Sequence, residues 1–143
     1  MRRALFLVLL LVGSAAARAA DVNDGRMAVV LPPDIRVGFL EEMRGHMESL
    51  DDVISAVAAA DFPKAAGTAR TALGMGSGKG YGRHMPMEFR AMGMAMHRAA
   101  LDFADVAAAM PATPGAGDWA RAASALANLS SHCRGCHAAF RVQ

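Results

Sequence analysis

Residues 122 to 140 read AASALANLSSHCRGCHAAF. Ala122, Leu126, Leu129, Cys133, Cys136 and Phe140 follow one another in steps of four and three, which places them on one stripe of an α-helix. The stretch therefore predicts an amphipathic helix, capped by Asp118, whose buried stripe carries the chain's two cysteines. His137 lies four residues beyond Cys133 and so shares nearly the same face. A helix of this kind needs partners to cover its stripe.

The preceding sequence supplies them. After "LPP" at 31 to 33, apolar residues at Leu40, Met43, Met47, Leu50, Ile54 and Val57 define a first helical stripe. Asp61 is placed to cap a shorter second helix through Phe62, Ala66, Ala69 and Leu73, with Pro63 tolerated in its first turn. Glycines crowd residues 74 to 82, "GMGSGKGYG", and mark a loop. A third helix begins near Pro86 and carries Phe89, Met92, Met96, Ala99, Phe103, Val106 and Met110 on one face. "PATPGAG" at 111 to 117 ends it. No stretch alternates like a strand. Four amphipathic helices with short connections predict an all-α, antiparallel four-helix bundle.

The N-terminus constrains where that bundle works. Met1-Arg2-Arg3 followed by the apolar run "ALFLVLLLVGSAAA" has the form of a secretory signal, with Ala17-Arg18-Ala19 as the cleavage site. The run falls short of the roughly 20 apolar residues of a membrane span, and no cysteine follows it for lipid attachment. Residues 1–19 are thus expected to be removed and residues 20–143 to form a single domain in the periplasm, not held by the membrane. The signal takes three arginines with it, leaving 12 basic against 13 acidic side chains, a net charge of −1 with histidines neutral. Nucleic-acid binding loses its electrostatic support.

Closely spaced cysteines serve disulfides, zinc sites, redox dithiols or covalent haem. A disulfide across two residues inside a helix would be badly shaped and close too small a loop to stabilise much. Zinc needs further ligands, and His46, His84 and His97 are not at finger-like spacing. An exchange dithiol favours an exposed, electropositive strand-to-helix setting. Cys-x-x-Cys-His is the attachment signature of c-type haem, in which the thiols bond to the two vinyl groups and the histidine reaches the iron. Export suits it, because a covalently held cofactor is not lost outside the cytoplasm.

With a single such motif on the last helix of an exported four-helix chain, the sequence resembles the class II c-type cytochromes, the cytochrome c′ group and its six-coordinate relatives. The specific part is "CRGCHAAFR" at 133 to 141, and "MPMEFRAMGMAMHRAA" at 85 to 100 resembles the third helix of one exported branch. The resemblance implies one haem c per chain, with Cys133 and Cys136 as thioether anchors, His137 as proximal iron ligand and Arg141 near the haem edge or its propionates. It also implies a distal residue from the first helix, within "RVGFLEEMRGHM" at 36 to 47. Met43, in the middle of the stripe, is the expected sixth ligand; a register anchored on Arg36 would bring Leu40 over the iron instead. A methionine there suits electron transfer, an apolar residue an open site for nitric oxide or carbon monoxide. His46 falls off the main stripe, Met47 a turn further along it.

Other features are weaker. Met92, Met94 and Met96 point in different directions on a helix, which argues against a Cu(I) site, although methionine is a soft ligand. His97 is either a surface residue or a partner of the haem. The glycine loop lacks the Lys-Ser/Thr ending of a phosphate loop, and no nucleophile–base–acid set marks an enzyme. The expected protein is a monomeric or homodimeric carrier of single electrons between redox partner proteins.

Overall fold

The computed structural model describes residues 24–143, so the expected signal at 1–19 lies outside the described residues. The described residues form an all-α bundle of four α-helices: α1 (Pro33–Ala58), α2 (Phe62–Thr68), α3 (Met87–Ala108) and α4 (Ala116–Ala139). Helix α3 packs on α4 and α2, and α2 packs on α1. None of the described helices is long and apolar enough to cross a membrane.

Asp61 caps α2 as its sequence position implies, its carboxylate accepting the Lys64 amide at 3.1 Å. The helix then widens into a π-helical turn, Ala69–Leu73. Between α1 and α2, Ala60 adopts the left-handed conformation (φ 57°). Its amide donates to the Val57 carbonyl and the Asp61 amide to that of Ala56, the paired contacts that close a helix when the residue beyond its end turns left-handed.

Asp118 does not cap α4 from outside, as the sequence implies. Gly115 occupies that position, and Asp118, three residues into the helix, accepts the Gly115 amide at 2.8 Å. The carboxylate still satisfies an orphan donor and faces the positive end of the helix.

Two further expectations are corrected. On α1 the buried face runs through Phe39, Leu50, Val53 and Ala56, while Met47 and Ile54 are exposed at 55% and 45%. The face therefore steps through His46, half-buried, in place of Met47. A two-stranded parallel ladder is also present, pairing β1 (Met27–Val29) with β2 (Phe140–Val142). Phe140 thus leaves the helix and begins a strand, though its side chain stays buried. Strands of three residues are too short to show an alternating pattern, and their partners lie at opposite ends of the described chain.

The core is divided. One cluster joins Val53, Ala65, Ala69, Ala100, Phe103 and Leu129, where alanines on α2 and α3 let the helices approach closely. A second joins Val29, Leu31, Phe39, Met85 and Phe140 near the strands. Phe89 bridges Phe39 and Phe140, with ring centroids 5.8 and 5.1 Å away. The separation follows from length. Helices α1, α3 and α4 have 26, 22 and 24 residues, but α2 and its π-turn have only seven and five. At roughly 1.5 Å per residue the second wall covers half the bundle, and the loop of residues 74–86 closes the rest.

The left-handed alanine makes a direct test of this reading. Ala60→Gly removes the Cβ clash and should raise the unfolding free energy by ~1 kcal/mol, measured as a shift in the urea midpoint at unchanged slope.

Candidate functional site

The half of the bundle that α2 leaves uncovered holds a cavity of about 370 Å³, within the range typical of cofactor sites, roughly 300–1,000 Å³. Helix α4 contributes His132, Cys133, Cys136 and His137, a spacing that keeps all four on one face. Helix α1 contributes Phe39, Met43, His46 and Leu50, and α3 contributes Phe89, Met92, Met96 and His97. The glycine loop forms the remaining wall with Met75, Tyr81 and Met85. The two expected thioether anchors, the expected proximal histidine and the expected distal methionine therefore open onto one space. Each cysteine belongs to a different part of the core: Cys133 packs against the alanine-rich cluster, Cys136 with Met43 against the strand-side one.

Both thiols are unpaired and half-buried. Burial pushes the Cys133 thiol above its ordinary 9.0. Burial does the same for Cys136, and the charge of a neighbouring Cys133 thiolate adds to it. A dithiol kept neutral in this way lacks the low-pKa thiolate that disulfide exchange requires. Among the described residues no three His, Cys, Asp or Glu side chains gather as an ion-binding cluster.

The histidines divide by position. His137 is exposed at the C-terminal end of α4, yet lines the cavity. His97 Nδ1 lies 2.7 Å from the Leu73 carbonyl oxygen, which can only accept, so Nδ1 carries the proton. Its ring meets that of His46 edge-on, centroids 5.9 Å apart. Burial lowers the His46 pKa below its ordinary 6.5; Glu42 opposes this and His97 adds to it.

Leu40 packs against the strand-side cluster and does not line the cavity, whereas Met43 does. Arg141 is absent from the cavity wall as well; its Nε lies 3.6 Å from an Asp24 carboxylate oxygen. Met92, Met94 and Met96 all line the cavity despite their angular spread on α3, Met94 at its exposed margin. Several lining residues escaped the sequence reading: Arg90, His132, Tyr81 and Met75. Tyr81 lies against Gly38, where an added Cβ would run into the phenol oxygen, so only glycine admits the ring. Position 38 falls within an apolar stretch of α1 and gives no such signal in one dimension.

The residues present fit a covalently held haem. The thiols are reduced, neutral and on the same wall as the histidine; the lining is largely apolar; and a Cβ built on Gly93 would meet no atom within 4 Å, so open space adjoins α3 there. The chain matches no family model, and no curated protein or solved structure shows detectable similarity to it.

Stability of the haem-free protein should be bounded on both sides by these groups. His46, with its folded pKa depressed, contributes stability that is full above pH 6.5 and is lost as pH falls through the folded value. The cysteines, with folded pKa values raised, contribute stability that is full below pH 9.0 and is lost as pH rises through them. Urea midpoints measured from pH 5.5 to 10 should therefore peak between. His46→Gln should flatten the acid limb, and Cys133→Ala with Cys136→Ala the alkaline one.

Proposed function

We propose that this chain is a periplasmic c-type cytochrome of the class II type, an antiparallel four-helix bundle carrying one haem c and transferring single electrons. The observation that carries the reading is the shared cavity: Cys133, Cys136 and His137 on α4 face the same space as Met43 on α1. In this reading Cys133 and Cys136 would hold the haem covalently through its vinyl groups, and His137 and Met43 would hold its iron. Bound haem supplies one-electron chemistry, its iron alternating between ferric and ferrous.

The protein's own part is to set the potential and the exposure. A thioether favours the ferrous state, and an apolar wall built from Phe39, Leu50, Phe89 and the cavity methionines keeps water from the site. Arg90, on the same wall, is the cation placed to pair with a propionate. The exposed methionines Met47, Met75 and Met94 surround the mouth, where an unidentified redox partner would approach the haem edge. An open-site reading, in which Leu40 stands over the iron and the protein binds nitric oxide or carbon monoxide, is disfavoured because Leu40 lies off the cavity wall.

Attachment is tested first. Expressed with its N-terminal segment and a haem-ligation system, the protein should keep its colour through acid-acetone extraction and denaturing electrophoresis, and its mass should exceed that of the polypeptide by one haem. Freely extracted haem, or colourless protein, overturns the reading.

The distal ligand is tested by spectrum and potential. The oxidised protein should show the weak sulfur-to-iron band in the red. Met43→Ala should abolish that band and lower the midpoint in a redox titration, whereas Leu40→Ala should leave both in place and cost packing alone, about 2–5 kcal/mol if fully buried.

A further inference from the structure

Leu73 ends the π-helical turn that closes the short second wall, so its carbonyl has no partner further along the helix. His97, on α3, donates Nδ1–H to it at 2.7 Å. That bond does two things. It satisfies the orphan carbonyl, and it fixes the imidazole in the tautomer whose lone pair is on Nε2. Histidines that bind metals are oriented in this manner, with one ring nitrogen donating to a carbonyl or carboxylate and the other presented to the ion.

The ring so oriented lines the cavity and touches His46, which lies one helical turn beyond Met43 on α1. His46 itself makes no hydrogen bond through its ring among the described residues. Of the remaining cavity histidines, His132 and His137 come from the motif-bearing helix.

We propose that His97 is a second distal ligand held in reserve, which takes the iron position through Nε2 when the Met43 thioether is withdrawn. The proposal rests on the haem reading above. It adds that the cavity is offered two donors of different character from outside α4: a soft thioether from α1 and, from α3, an imidazole already locked by a backbone carbonyl. Only coordination bonds exchange, one Fe–S for one Fe–N, with no net change of electrons or protons. Loss of the thioether would therefore leave a six-coordinate protein of lower potential, not an open site.

The test uses the holoprotein and begins with Met43→Ala. Covalent haem is verified by denaturing electrophoresis, so that failure of the haem reading shows as colourless protein and is distinct from failure of this one. Met43→Ala should remain low-spin in both oxidation states, acquire the electron paramagnetic resonance signature of two imidazoles, and take up carbon monoxide slowly. Adding His97→Gln, whose side-chain amide can still donate to Leu73, should turn it high-spin and speed carbon monoxide uptake at least tenfold, and free imidazole should restore the low-spin spectrum. Adding His46→Gln instead should change neither. The inference is overturned if Met43→Ala alone is high-spin, if its low-spin state survives His97→Gln, or if His46→Gln abolishes it.

Discussion

A bundle whose second wall is too short has to close its open half with something other than a helix, and most of this molecule follows from that mismatch. Seven α-helical and five π-helical residues stand against three helices of 22 to 26. Where the short wall is present, alanines on α2 and α3 bring the helices together around Phe103 and Leu129, both fully buried. Beyond Leu73 the alanines give way to methionines and glycines, the second helical wall ends, and a cavity opens. The glycine loop can cover that cavity because its backbone turns freely, with Gly76 and Gly80 at positive φ.

Dividing the core in this way gives the cavity an unusual energetic position. The alanine-rich cluster is packed by side chains alone, whereas the strand-side cluster meets it across a void bordered by one cysteine on each side. The ladder between Met27–Val29 and Phe140–Val142 secures the strand-side cluster at the point where α4 leaves the bundle.

The polar groups of the cavity are arranged with economy. The orphan carbonyl of Leu73 is met by His97. The apolar wall carries the two thiols, four histidines and Arg90 among its ionisable groups, and each donor there counts for more where burial lowers the local dielectric. The thiols respond to the same desolvation by staying neutral.

What the sequence determined by itself is local and periodic. The stripe through Ala122, Leu129, Cys133 and Cys136, the cap at Asp61 and the breaks near 74–82 and 111–117 all rest on neighbours within a few residues and appear in the structure, although a short 3₁₀ turn begins at Tyr81 and α4 at Ala116, inside the expected breaks. The shared placement of Cys133, Cys136 and His137 was likewise legible, because three residues within five positions share a helix face wherever that helix sits. Tertiary structure alone decided the rest. It chose His46 over Met47 for the inner face of α1, since a stripe one residue wide cannot be told from its neighbour until a partner helix covers it. It paired strands too short to show a period, drew Arg141 to Asp24 and away from the cavity, and set His97 against a carbonyl 24 positions earlier. Contacts of that kind depend on how far apart the walls stand, and the length of α2, measured against its neighbours, decides that only once the chain has closed on itself.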